Sequence, residues 1–350
     1  MPKELVFLGR RKIGFREYQD RPIKDNEIKV ETLYSGISHG TEMNIYRGTA
    51  PQFHKSVRDG LFQEGESSYK YPMGYGYEEV GKVVEVGENV EKFRVGDIVA
   101  SAYGHRETAI LDVNRTVYLN LVPKEMNPEH AIFQALASVA YDALLTSNVR
   151  LGESAVIFGQ GVVGLLLVQF CKLAGVNPII AVDLLEKRLS LSEKLGASYV
   201  LNPETCDVAR EVRKILNGGS DVVFETSGST RALHEAIRCG ARGYSKVIAV
   251  AWYQGPAKNL YLGEEFHHGL GATQIISGGP GINNRLPPAV GRQWDILRVV
   301  KTSFDLLKKG KICVEGLITH RFRFEEAEKA YELIDKHPED CIKVILTFEN

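Results

Sequence analysis

The sequence predicts an α/β protein in two parts, a β-rich unit followed by a doubly wound parallel sheet. Three observations carry this. Residues 1 to about 123 break into short β-rich runs with turn residues between them. Beyond Pro123, short apolar runs alternate with segments of helical period. One of those apolar runs ends in a glycine-spaced turn that opens a helix.

In the first part, Glu27 to Tyr34 alternates and stops at Ser35-Gly36, and Glu79 to Val86 closes at Gly87-Glu88-Asn89. Asp97 to Tyr103, Glu107 to Leu111 and Thr116 to Leu121 read as further short strands, the spacing of a compact barrel-like unit. Asn127-Pro128 supplies an N-cap and a first-turn proline, which predicts a helix to about Asn148. Strands are then predicted at Ser154–Phe158, Ile179–Asp183, Tyr199–Leu201, Asp221–Thr226, Lys246–Ala251 and Thr273–Ile276. Helices Val163–Ala174, Glu186–Leu195, Asp207–Leu216 and Arg231–Cys239 lie between them, as a parallel sheet requires. Gly278 to Gly291 reads as a long loop. Helices at about Trp294–Lys309 and Phe324–His337 and a strand Ile342–Phe348 form a tail that reads as appended to the sheet.

Composition excludes several classes. The 350 residues are enough for two domains, and 44% hydrophobic with 25% charged is ordinary for a globular chain. A net charge of −1 gives no footprint for nucleic acid or an anionic membrane. The apolar stretch Ala155–Val168 is interrupted by Gln160 and three glycines and is too short to span a bilayer. No signal-peptide pattern opens the chain, and five scattered cysteines read as reduced thiols, so a cytoplasmic protein is expected.

The motif of highest specificity is Gly159-Gln160-Gly161-Val162-Val163-Gly164, between the apolar run Ala155–Phe158 and a helix. Gly159 permits the tight turn, Gly161 lets backbone approach a pyrophosphate, and Gly164 lets helix and strand pack closely. The helix N-terminus offers free N–H groups to phosphate. Asp183 ends the next strand, 19 residues after Gly164, where a carboxylate accepts from ribose hydroxyls and repels a 2′-phosphate. NAD is therefore expected rather than NADP, with Arg188 as the feature that could favour the second.

With Tyr34-Ser35-Gly36-Ile37-Ser38, Gly74-Tyr75-Gly76-Tyr77-Glu78, Val95-Gly96-Asp97 and Phe224-Glu225-Thr226-Ser227-Gly228 added to that motif, the whole chain resembles the medium-chain dehydrogenase/reductase superfamily. Ser38-His39-Gly40-Thr41-Glu42, Trp252-Tyr253-Gln254-Gly255 and Leu317–Arg321 are similar to a branch of polyol or sugar dehydrogenases and bacteriochlorophyllide a dehydrogenase. The resemblance implies a GroES-like catalytic domain over 1–150, a Rossmann domain over 151–279 and a return segment over 280–350. It also implies a substrate cleft between domains and a homodimer or homotetramer. Thr226, Ser227, His39 and Lys343 match positions near the cofactor in relatives.

At the places where zinc-dependent relatives hold catalytic zinc, this chain has Ser38, Tyr77 and Gln134, which are poor zinc ligands; Glu78 is retained. No catalytic zinc is expected. His39, Glu42, Glu78 and His105 could build a displaced metal site if the first two share a helix face. Without metal, Tyr77 is the first candidate for moving the proton on a substrate oxygen, with Ser38 orienting it and His105 as a further base. Tyr77 could equally plug the cavity, and His105 could be a surface histidine. Tyr103, Gln134 and Trp252 are candidate pocket residues. The expected activity is hydride exchange between NAD(H) and a secondary alcohol or its ketone, polar or cyclic and of polyol or sugar type. A zinc enzyme with displaced ligands, an inactive NAD(H) sensor and an NADPH-dependent reductase are the alternatives.

Overall fold

A computed structural model describes residues 1–278 and 294–348. The loop expected from Gly278 to Gly291 lies, beyond Gly278 itself, outside the described residues. The chain divides into two compact units, Met1–Ala135 with Val314–Asn350, and Leu136–Cys313.

The first unit opens with a hairpin of β1 (Lys3–Gly9) and β2 (Lys12–Glu17), with Arg11 at φ 53 in its turn. β3 (Glu27–Ile37) leads into the short helix α1 (Thr41–Tyr46) and a second hairpin, β4 (Lys55–Arg58) with β5 (Leu61–Glu64). β6 (Glu79–Val86), β7 (Ile98–Ser101), β8 (Thr108–Asp112) and β9 (Asn120–Leu121) follow. β3 pairs antiparallel with both β6 and β8, and β6 passes the sheet on to β7 and β9. Ile28 and Val30 of β3 meet Val83, Val99, Ala109 and Leu111 in one apolar core, which holds these short strands together. The expected strands Asp97–Tyr103 and Thr116–Leu121 shrink to β7 and β9. Asn127 caps as predicted, accepting the Glu129 N–H at 3.1 Å, but the first turns are 3₁₀ (Pro128–Phe133) before α2 (Gln134–Ser147).

The second unit runs β10 (Ala155–Phe158), α3 (Val162–Leu173), β11 (Ile179–Val182), α4 (Glu186–Leu195), β12 (Tyr199–Leu201), α5 (Val208–Leu216), β13 (Val222–Glu225), α6 (Thr230–Cys239), β14 (Lys246–Ala249), β15 (Gln274–Ser277) and α7 (Ile296–Lys308). The strands are parallel in the order β12-β11-β10-β13-β14-β15, so the order reverses between β10 and β13. β10, β11 and β13 are buried along their whole length, which their Val, Ile, Ala and Phe content supports.

The chain then returns to the first unit through β16 (Ile318–Arg323), α8 (Ala327–Lys336) and β17 (Lys343–Thr347). β17 lies between β16 and β3, so the tail is built into the first sheet rather than appended to the second. α8 buries Ala327, Ala330, Tyr331 and Ile334, a helical stripe, against Phe7, Ile37 and Met43. Helix α2 beyond Ala135, and α7, fall with the second unit, so its bounds are wider than the 151–279 expected. No helix among the described residues is long and apolar enough to cross a membrane.

Candidate active site

The glycine turn after β10 has the geometry its sequence predicts. Gly159 takes φ +85, and a Cβ there would stand 2.9 Å from the Ser227 nitrogen. A Cβ on Gly164 would stand 1.9 Å from the Gly159 oxygen, so helix α3 approaches β10 as closely as glycine permits. Gly161, the N-cap of α3, has open space where a Cβ would be and no side chain capping the helix. Val162 and Val163 begin the helix there, so their N–H groups are left for a phosphate. Asp183 accepts from Gln160 N–H at 2.6 Å and Leu185 N–H at 2.9 Å. Each carboxylate oxygen keeps a second lone pair for ribose hydroxyls. These residues fit a dinucleotide. Thr226 Oγ1 donates to the Phe158 and Gly159 carbonyls at 3.0 and 2.8 Å, and Ser227 donates through N and Oγ to Glu225. Both therefore brace the turn. Arg188 lies in the first turn of α4 and is half-buried; Trp252, also half-buried, follows β14.

In the first unit, the Tyr77 hydroxyl donates to Ser38 Oγ at 2.5 Å. Ser38 is buried at the end of β3, and its N–H donates to Glu42 Oε1 at 2.8 Å. Burial pushes the Tyr77 phenol well above its ordinary range, with the charges of Glu78 and Glu42 adding to the shift; hydrogen bonds to Ser38 and Thr41 offset only part. Tyr77 is thus a neutral donor.

Behind this pair stands a buried ionic network. Glu42 Oε2 lies 2.6 Å from His105 Nε2 and accepts from the Tyr331 hydroxyl at 2.7 Å. His105 Nδ1 meets Ser35 Oγ at 2.5 Å, and Ser35 donates on to Glu79 Oε1 at 3.2 Å. Burial opposes charge on both members of the pair, but their mutual attraction wins: His105 is raised and Glu42 lowered. Burial lifts Glu79 to about 7, against the pull of the His105 charge and the Tyr103 N–H. Its neighbour Glu78 points the other way, as alternate residues of an extended chain do, and sits 2.6 Å from Lys343 Nζ. Burial raises Glu78, and Lys343 offsets part of that. Lys343 also donates to the Ile37 carbonyl at 2.8 Å. Gly36 makes room for this: a Cβ there would stand 2.9 Å from Lys343 Cε.

Several candidates therefore take positions different from those expected. His105 is neither a surface histidine nor an open base, since both ring nitrogens are engaged and it is sealed from solvent. Lys343 is a buried counter-ion to Glu78 rather than an open contact for the cofactor. Gln134 is buried and uses both ends of its amide, donating to Tyr118 O at 2.6 Å and accepting from Asn120 Nδ2 at 2.7 Å. Tyr103 packs against the barrel core with its hydroxyl 3.1 Å from Thr32 Oγ1. His39 is half-buried just after Ser38. Ser35, Glu79 and Tyr331 were not singled out from sequence; adjacent glutamates at a strand start were the one local signal of a double-sided ionic site.

A zinc ion does not fit this donor set. Ser38, Tyr77 and Gln134 offer a hydroxyl, a phenol and an amide, each already bonded within the protein, and neither thiolate nor imidazole stands among them. Among the described residues, His39, Glu42, Glu78 and His105 do not converge as a ligand set either.

Comparison with known proteins agrees with both units. Residues 24–115 match the alcohol dehydrogenase GroES-like domain, and residues 162–289 match the zinc-binding dehydrogenase family. The D-guloside 3-dehydrogenase of Escherichia coli K12 is 31% identical, over 99% of this chain and 100% of its own. The (R,R)-butanediol dehydrogenase of Bacillus subtilis is 32% identical, over 69% of this chain and 75% of its own. The crystal structure of 2R,3R-butanediol dehydrogenase from Bacillus subtilis superimposes with a TM-score of 0.78 at 22% identity and covers 100% of both chains.

Proposed function

The chain belongs to the medium-chain dehydrogenase/reductase superfamily, among its alcohol dehydrogenases, and from that premise we propose that it exchanges hydride between NAD(H) and a secondary alcohol or ketone of polyol or sugar type without catalytic zinc. The observation that carries the zinc-free reading is the Tyr77–Ser38 hydrogen bond. Tyr77 donates its hydrogen bond to Ser38 Oγ, which leaves the Ser38 hydroxyl hydrogen free to point at a substrate oxygen. That donor chain stabilises negative charge on the oxygen, the task a metal performs in other enzymes. The Glu42–Ser38 N–H bond fixes the serine backbone, so the hydroxyl need not be organised during reaction.

When bound, the nicotinamide cofactor accepts or gives the hydride. Gly161 and the start of α3 would hold its pyrophosphate, and Asp183 its adenosine ribose. The carboxylate of Asp183 supports NAD over NADP. A raised phenol is a good donor and a poor base, so reduction is favoured near neutral pH and oxidation rises toward alkaline pH. Full-length similarity to a guloside 3-dehydrogenase supports a ring hydroxyl as the reacting group. The exposed edge strand β15 is the proposed surface for self-association.

The test is turnover of chelator-treated, metal-analysed protein with NAD and NADP against a panel of glycosides, polyols and 2,3-butanediol. Expected is NAD-linked activity at sub-stoichiometric zinc. Activity that disappears on chelation and returns with zinc would overturn the zinc-free mechanism.

A further inference from the structure

Away from this site, the second unit gathers three metal-ligating side chains that the proposed reaction does not use. His234 lies on α6, and Glu264 and Glu265 lie on the segment between β14 and β15. One ligand atom from each stands within 4.8 Å of the other two. Acidic groups alone would say little. His234 is different, because it is 8% exposed and one of its ring nitrogens is unsatisfied. Its Nδ1 is enclosed with no hydrogen-bond partner among the described residues, and its Nε2 stops 3.7 Å from Glu264 Oε2, beyond hydrogen-bond reach. Glu265 Oε2 is likewise enclosed without a partner. Buried polar atoms left this way each cost free energy, and a bound group that engaged them would lower that cost.

The local charge has the right sign. Arg238 is shared by Glu235 at 2.7 Å, Asp207 at 3.3 Å and Glu265 at 3.3 Å, and Glu264 stands outside that group. Three carboxylates thus share one guanidinium, and Glu264 adds a fourth negative charge close to Glu265.

We propose that His234, Glu264 and Glu265 form a site for a first-row divalent cation such as zinc, completed by water. One imidazole nitrogen and two carboxylate oxygens are a mixed N/O set suited to such an ion. The ion would tie the segment after β14 to α6. That segment already leans on the helix through Tyr261, whose ring meets His234 edge-on at 5.3 Å, and through Thr230 Oγ1, which donates to the Lys258 carbonyl at 2.5 Å.

The test is Co²⁺ titration of the full-length protein after chelator treatment. Expected is one equivalent bound with visible ligand-field absorption and no thiolate charge-transfer band. Glu264→Gln and Glu265→Gln should each weaken that binding at least tenfold. Glu264 is 60% exposed, so its substitution leaves the apo-protein folded, which its unfolding temperature verifies. Glu339→Gln, in the exposed trio His337, Glu339 and Asp340, is the control and should leave binding unchanged. Absence of stoichiometric uptake, a thiolate band, or affinity that survives both Glu264→Gln and Glu265→Gln would overturn the proposal.

Discussion

Glu42 Oε2 lies 2.6 Å from His105 Nε2 with both side chains sealed from water, and the other oxygen of the same carboxylate holds the Ser38 N–H. A buried pair of this kind is destabilising to break. Glu42→Gln should cost about 3–5 kcal/mol, because it leaves an imidazolium without its counter-charge. The sign with pH follows from the two shifts. His105 is raised, so its contribution is complete below its ordinary value of 6.5 and lost as pH climbs through its folded value. Glu42 is lowered, so its contribution is present above 4.5 and lost on acidification. Urea unfolding should therefore show the largest difference from wild type between those values and a smaller one at pH 9. A difference that is the same at both would mean the pair is not ionised.

Tyr77→Phe should lower kcat/KM by about a hundredfold or more, the range for losing an acid–base donor, while NADH binding followed by fluorescence stays within about twofold. Wild-type oxidation should keep rising through pH 9, because burial holds the phenol proton. If Tyr77→Phe retains full turnover, the aromatic ring is only filling space.

Asp183→Ala should raise the KM for NAD about tenfold or more and lower that for NADP, since the variant removes both the ribose acceptor and the charge that repels a 2′-phosphate. Steady-state kinetics with both cofactors decide it; unchanged preference would place the discrimination elsewhere, Arg188 being the next residue to vary.

Asp142, on α2, encloses both carboxylate oxygens without a hydrogen-bond partner among the described residues, and burial lifts it to about 7. A carboxyl raised in the folded state destabilises the fold progressively as pH rises from its ordinary 3.8 through about 7. Asp142→Asn should therefore be more stable than wild type at pH 8, by up to about 4 kcal/mol, with the advantage fading by pH 5. Thermal unfolding at the two pH values measures this.

Lys343→Met should destabilise by about 3–5 kcal/mol at pH 8, because Glu78 is left buried and unpaired. Glu78 is already raised, and losing Lys343 raises it further, so the penalty should shrink as pH falls toward 4.5 and the carboxyl takes up a proton. Adding Glu78→Gln to the same chain should recover most of the loss. Gly36→Ala should act similarly by displacing the lysine.

The sheet of the second unit was legible because its signals are local: Ala155–Phe158 is apolar throughout, Asp207 and Ser229 cap their helices, and Gly196 ends α4. The β1–β2 hairpin was not, since Leu5, Val6 and Phe7 are buried in a row rather than alternately, and its turn uses Arg11 in place of Asn or Gly. Helix α1 has six residues and starts at a glycine with no side-chain cap, so nothing announces it. The dinucleotide turn is one continuous stretch and could be read directly. The ionic network could not, because Tyr331 reaches Glu42 across 289 residues and Lys343 reaches Ile37 across 306.

Those long spans set an order for biosynthesis. The strand that lies against β3, the ammonium that neutralises Glu78 and the hydroxyl that meets Glu42 are all translated after the second unit. A nascent chain can complete its nucleotide-binding half while the half that emerged earlier still lacks one strand and part of its internal charge balance. Until those residues follow, the first unit stays unfinished, with an unpaired strand edge exposed to aggregation.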